Sequence, residues 1–228
     1  MSDDAQVVAN YHGIEVLQAP MLSPGMIRSL NEGTYERREV ACGLAAIPKG
    51  ARLLELGAGA GVVGSVLHRN LACTATFCVE ANPDLVPFIE RVHRHNALGE
   101  NITVHHAVVL SDPAAPNFVT FNVAGNFLGS SLHANPNKNT RQVQVPVLRY
   151  DVLKKNFPHD AIMMDIEGGE LDFLRHADLS GVNVLITEMH RDIYGREGMR
   201  ECRRLLEAKG MAFDESSSKV GVHVYLRT

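Results

Sequence analysis

Few backbones accommodate the segment Glu55-Leu-Gly-Ala-Gly-Ala-Gly61. It follows the apolar run Ala51-Arg-Leu-Leu54 and opens a short amphipathic segment, Val62 to Asn70. The order is strand, glycine turn, helix. Glycine at such a turn lets the chain reverse sharply and approach a ligand with no Cβ in the way, as a nucleotide-type ligand requires. A dinucleotide fingerprint reads Gly-x-Gly-x-x-Gly. Here the glycines are Gly57, Gly59 and Gly61, and Val62 stands where the last glycine of that fingerprint belongs. A dinucleotide-dependent oxidoreductase is therefore the weaker reading of this turn.

The 228 residues, 45% of them hydrophobic, suffice for one well-buried α/β core and are short for two full domains. The net charge of −4 and the lack of a long basic run disfavour a dedicated nucleic-acid role. Four cysteines, Cys42, Cys73, Cys78 and Cys202, show no Cys-x-x-Cys spacing, as expected of free thiols in a reducing cytoplasm. The start, Met-Ser-Asp-Asp-Ala-Gln, lacks the basic and apolar regions of a signal peptide, and no apolar run approaches membrane-spanning length. A cytoplasmic location without membrane contact is the expectation.

Residues 1–33 are weakly patterned and read as an extension over the core. Residues 34–47 read as a helix with Thr34 as its cap, and Pro48-Lys-Gly50 ends it. Strands are expected over 51–56, 74–80 and 102–109. Asn82-Pro83-Asp84 predicts a helix start, running to about Ala97. Val119–Ala124 and Val143–Leu148 alternate and are expected to pair as a hairpin around a polar loop, 133–141. Ala161-Ile-Met-Met-Asp-Ile166 reads as a strand covered on both faces. A short helix over Glu170–His176, a strand over Val182–Met189 and a helix over Glu197–Lys209 follow. Met211–Glu215 and Val220–Leu226 close the chain as an antiparallel pair. The β-α-β-α-β alternation up to residue 110 implies a parallel sheet with helices on its faces.

In such a sheet, ligands bind beyond the carboxyl ends of the strands. The polar residues collected there are Glu55, Glu80, Ser111-Asp112, Asp165, Glu167, Glu188 and His190. Glu80 lies about 20 residues beyond the glycine turn, where an acid accepts hydrogen bonds from both hydroxyls of a ribose. The plain alternative is an acid placed by the dipole of the next helix.

With Glu55–Gly61, the segments Val79-Glu-Ala-Asn-Pro83, Ala107-Val-Val109, Met164-Asp-Ile-Glu-Gly-Gly-Glu170 and Thr187-Glu-Met-His190 resemble the FkbM family of S-adenosylmethionine (SAM)-dependent methyltransferases. The resemblance covers roughly residues 33 to 190, and Asp-Ile-Glu-Gly-x-Glu is its most specific part. It implies a Rossmann-like α/β fold with a mostly parallel seven-stranded sheet and a C-terminal antiparallel hairpin. It also implies an extension and helix over 1–50, a methyltransferase domain over 51–228, and a hairpin insertion, 118–148, near the acceptor. The chain departs from the family's usual Asp-x-Gly-Ala-Asn-x-Gly, with Glu55 and Gly59 in place of the Asp and the Asn.

SAM lacks a pyrophosphate and carries cationic amino and sulfonium groups, which favour nearby carboxylates. The resemblance implies cofactor contacts at Gly57, Ala58, Gly59 and Gly61, and at Glu80, Ala81, Ala107 and Val108. Glu55 would serve the amino end. Glu36 would reach the same end if the early helix packs over the site, and a solvated helix charge is the equal alternative.

Family members generally methylate oxygen, often on sugar or polyketide hydroxyls. After Met164 the chain carries neither Asn-Pro-Pro-Tyr, used on nucleobase amino groups, nor a Pro-Cys nucleophile for cytosine carbon. An oxygen on a small molecule or glycan is the acceptor that remains. An aliphatic hydroxyl needs help to lose its proton, and His190 is the first candidate base because imidazole titrates near neutral pH. Asp165, Glu167 and Glu188 would orient the acceptor, tune the histidine or take the proton. A divalent cation on Asp165, Glu188 and His190 is a competing use of these groups, but no tight spacing demands it and no metal is predicted. Ser130, Ser131 and His133 are further candidates for the acceptor pocket, or ordinary turn formers. A SAM-binding module without catalysis is the non-enzymatic alternative. Nothing in the chain predicts an oligomeric state.

Overall fold

The computed structural model describes residues 6–124 and 140–228. The chain opens with strands β1 (Val7–Tyr11) and β2 (Ile14–Leu17), then α1 (Pro24–Asn31). His12 and Gly13 both take positive φ, +48° and +83°, which joins a two-residue hairpin whose twist matches its strands. Ser23 caps α1 by accepting from the Met26 amide at 3.2 Å, with Pro24 in its first turn. This part is patterned after all. Ile14, Val16, Leu17 and Leu30 are almost wholly buried, and Asn96 clamps the hairpin with two 2.8 Å bonds to the Glu15 backbone.

Next come α2 (Arg37–Ala46), β3 (Arg52–Leu56), α3 (Val62–Asn70), β4 (Ala75–Glu80), α4 (Val86–His95) and β5 (Ile102–His106). A second, small sheet holds β6 (Val108–Leu110), β7 (Phe118–Ala124) and β8 (Thr140–Arg149). The chain returns through α5 (Tyr150–Asn156), β9 (Ala161–Met164), α6 (Glu170–His176), β10 (Val184–Glu188), α7 (Arg191–Ala208), β11 (Met211–Phe213) and β12 (Val222–Arg227). The main sheet has seven strands in the order β11-β12-β10-β9-β3-β4-β5. Five run parallel, and β12 is antiparallel to both β10 and β11. β7 and β8 pair antiparallel, as their alternation predicts.

Alternate residues of the central strands feed two cores. Leu53, Met163 and Ile186 pack with residues of α2 and α3. Leu54, Leu56, Ile162 and Leu185 pack with residues of α5, α6 and α7. Every residue of β9 is buried, which explains its uninterrupted apolar run.

Several boundaries differ from the sequence expectation, mostly where the chain turns toward the strand tips. Thr34 does not cap α2; its hydroxyl donates to Ser29 O, and Glu36 in the left-handed region precedes the helix. Helix α4 starts at Val86, not at Asn82, because Asn82 accepts the Asp84 amide in a turn of its own. The expected strand 102–109 breaks at Ala107, whose amide donates to Glu80 O while β6 leaves to pair with β8. β9 stops at Met164, so Asp165 lies past the strand end. Helix α7 starts six residues early, at Arg191, and kinks at Gly195. Ser130, Ser131 and His133 lie outside the described residues.

Candidate functional site

A cavity of about 320 Å³ opens at the carboxyl tips of β3, β4 and β9. That lies within the roughly 300–1,000 Å³ of small-molecule clefts. Its β4 side is mostly apolar, with Val79, Ala81, Leu85, Val108 and Phe121. Its β9 side carries Tyr35, Glu36, Glu39, Asp165 and Glu167. Sheet order sets this division, since β4 and β9 flank β3.

Glu80 ties the glycine turn to the next loop. Its Oε2 accepts the Gly59 amide and its Oε1 the Asn82 amide, both at 2.7 Å. Burial pushes its carboxyl up to about 7, against the opposing pull of the Asn82, Gly59 and Ala81 amides. Each carboxylate oxygen keeps acceptor capacity beyond these bonds. Gly57 sits at φ +85°, and a Cβ there would meet the Asp165 carbonyl oxygen at 1.7 Å. Only glycine lets the tips of β3 and β9 close together in this way.

Glu55 is 1% exposed at the foot of the turn, paired across the sheet with Cys78. A Cβ on Gly64, in the first turn of α3, would fall 2.2 Å from its Oε2. Burial raises Glu55 to about 7, opposed by the Cys78 thiol and the Gly64 amide. Its Oε2 has no hydrogen-bond partner among the described residues.

On the β9 side the acids gather around His190. Its Nδ1 lies 3.1 Å from Glu170 Oε1, and its Nε2 lies 3.7 Å from Asp165 Oδ1 and 3.6 Å from Glu167 Oε2. Glu170 is wholly buried, and the same Oε1 accepts the amides of Ile166 and Gly168. Burial alone would lower His190, but Glu170, Asp165 and Glu188 outweigh it and push it up to about 9. Burial raises Asp165 to about 7, with His190 opposing and neighbouring acids assisting. Glu188 reaches about 7 by burial and Asp165, and Glu36 about 8 by burial and Glu39. Two non-glycine residues of the cluster, Glu36 and Glu167, hold positive φ, +42° and +51°. Such strain gathers at functional sites.

These shifts share one sign in stability. A carboxyl raised from 4.5 or 3.8 to 7 or 8 keeps protons in the fold that the unfolded chain has released. His190, raised from 6.5 to about 9, acts the same way as pH climbs. The buried His68, His93 and His159, shifted down, act oppositely but only below 6.5. The ligand-free protein is therefore expected to melt at steadily lower temperature from about pH 6.5 to about pH 9. A melting temperature that holds or rises across that window would refute this electrostatic picture.

Of the sequence candidates, Glu36, Glu55, Gly57, Ala58, Gly59 and Glu80 line the cavity, as do Ala81, Ala107, Val108, Asp165 and Glu167. Gly61 does not; it precedes α3 in the left-handed region, against Ile89. Glu188 lines an adjoining groove with Glu36 and Glu39, and His190 reaches the cavity wall through Asp165. Ser111 and Asp112 turn away, Ser111 donating to Phe173 O and Asp112 accepting the Ala114 amide. Sequence reading passed over Glu39 and Glu170 as site residues. Glu39 lines the cavity from the first turn of α2, just after Glu36 outside the helix. Glu170 closes the Asp165–Glu170 segment, which was the signal for it.

A seven-stranded sheet of this order, with an antiparallel C-terminal pair, is the Rossmann-like methyltransferase fold, and the cavity lies at its strand tips. The model of the "Methyltransferase FkbM domain" matches residues 55–213. The chain belongs to that family of SAM-dependent methyltransferases. No curated protein matches it. Among solved structures it is similar to a precorrin-6y C5,15-methyltransferase from Geobacter metallireducens, at 13% identity and TM-score 0.51, covering 97% of this chain and 98% of that one. It is also similar to the putative transferase PH0793 of Pyrococcus horikoshii, at 12% identity and TM-score 0.50, covering 99% of this chain and 71% of that one. Both likenesses concern the fold.

Proposed function

We propose that this methyltransferase acts on a hydroxyl oxygen of a small molecule or glycan, with SAM held in the cavity at the tips of β3, β4 and β9. The residues present fit that cofactor. The apolar β4 side suits an adenine, and Glu80, fixed by two backbone amides beside it, suits the ribose diol. The β9 side offers carboxylates to the cationic amino and sulfonium groups, and Glu55 Oε2 is buried at the foot of the turn without a hydrogen-bond partner among the described residues. When bound, SAM supplies an electrophilic methyl group for in-line displacement. The observation that carries the reading is this pairing of an apolar half with an acidic half across one glycine turn.

The chain's own work is to hold the acceptor oxygen aligned, exclude water and take the proton. For that last task we place Asp165, with Glu188 beside it, ahead of His190. A histidine held near 9 is already protonated at neutral pH, whereas carboxyls near 7 are poised to accept. Asp165→Asn is expected to lower turnover at saturating SAM by about a hundredfold or more, within the usual range for a lost general base. Turnover within threefold of wild type, roughly 0.65 kcal/mol in barrier, would remove Asp165 from that role.

A radiolabelled-methyl screen over sugars, phenols and nucleotides, run beside a SAM titration by calorimetry, tests the reading. Base-stable label on hydroxylated acceptors supports it. Label only on nitrogen or nucleic acid would replace the acceptor, and SAM binding with no transfer would favour the non-catalytic alternative.

A further inference from the structure

We infer that Asp165, Glu188 and His190 form a binding site for one octahedral divalent cation of the Mn²⁺ type, set beside the proposed SAM cavity. One ligand atom from each of the three lies within 4.8 Å of the others. They come from the ends of adjacent parallel strands, Asp165 after β9 and Glu188 and His190 at the end of β10. Two carboxylates with one imidazole favour a borderline cation that keeps open positions, rather than the all-oxygen cage of Ca²⁺.

Two further observations point to a ligand rather than to acids that merely meet. Asp165 Oδ1 is buried without a hydrogen-bond partner among the described residues, and it stands close to His190 Nε2. Their separation, 3.7 Å, is too long for a hydrogen bond and leaves room for an ion between them. The imidazole is also held as a metal-ligating imidazole is held. Its Nδ1 faces the wholly buried Glu170, whose own Oε1 is fixed by the Ile166 and Gly168 amides. That carboxylate sets the ring and leaves Nε2 for the ion. Binding releases to solvent any proton on Nε2 and on the Asp165 and Glu188 carboxyls, and no bond between heavy atoms of the protein changes.

An ion there would accept an acceptor oxygen at an open position and favour its deprotonated form. That consequence rests on the methyl-transfer reading, but the site itself does not. With the cation bound, Asp165 and Glu188 activate the hydroxyl as its ligands; without it, they take the proton themselves.

Mn²⁺ alone is the probe. Its free signal in electron paramagnetic resonance is followed as the purified, EDTA-treated full chain is titrated, without and with SAM. One Mn²⁺ per chain is expected, retained when SAM is added. His190→Gln and Glu188→Gln should each weaken it at least about tenfold, and Glu170→Gln about tenfold to a hundredfold. Circular dichroism of each variant separates lost binding from lost fold, and the wild-type stoichiometry needs no variant. Absence of a stoichiometric site in the wild type, folded His190 and Glu188 variants that bind as wild type does, or displacement of Mn²⁺ by SAM would each overturn the proposal. Mn²⁺ binding without SAM heat would instead leave the cation site standing and remove the cofactor reading.

Discussion

Glu80→Ala is expected to weaken SAM binding by about a hundredfold or more. A hydrogen bond to a charged group contributes roughly 1.5–3 kcal/mol, and a ribose diol makes two of them. Their loss corresponds to about 10²- to 10⁴-fold in affinity. The effect has a second source within the chain. Glu80 alone joins the Gly59 amide to the Asn82 amide, so its removal also frees the glycine turn that shapes the cavity. Glu80→Gln separates the two contributions. It keeps one acceptor oxygen but puts a donor where an amide already donates, and an intermediate loss is expected. Calorimetry with SAM reads the affinity and circular dichroism reads the fold. An affinity for Glu80→Ala within threefold of wild type would detach this carboxylate from the cofactor.

Gly57→Ala is expected to destabilise the fold by about 2–5 kcal/mol, combining a left-handed backbone with overpacking. The two costs can be measured apart. Gly50 also has positive φ, +80°, but nothing lies within 4 Å of a Cβ built on it. Gly50→Ala should therefore show only the backbone cost, about 1–2 kcal/mol. At Gly57 the obstacle is the backbone oxygen of Asp165, which moves only if the tip of β9 moves. The same substitution should thus also displace Asp165 from its neighbours and depress activity in whatever fraction remains folded. Urea denaturation of the two variants gives the comparison. Equal losses at Gly50 and Gly57 would mean that the tips of β3 and β9 are not in close contact.

Much of this organisation is legible in the chain because its causes are local. A glycine turn after an apolar strand, an acid some 20 residues on and the buried run at 161–164 each carry their own chemistry. What stayed hidden depends on contacts distant in sequence. The hairpin at β1 and β2 turns on His12-Gly13, a weaker signal than Asn-Gly or Asp-Gly, and its burial depends on Asn96, 81 residues from Glu15. Helix α4 starts late because Asn82 is drawn into a turn of its own, accepting the Asp84 amide while its own amide is held by Glu80. The state of His190 was least legible. As a free imidazole it suits a base; surrounded by Glu170, Asp165 and Glu188 it holds a proton at neutral pH. That difference comes from the adjacency of β9 and β10, which no local pattern encodes.

A crystal structure of the protein with S-adenosylhomocysteine, the methyl-free product, decides where the cofactor lies. The ribose hydroxyls are expected on Glu80, the adenine between Ala81 and Val108, and the amino group among the acids at Glu36 and Glu55. An adenosyl group bound elsewhere, with Glu80 still holding only Gly59 and Asn82, would contradict the assignment of the cavity at the strand tips.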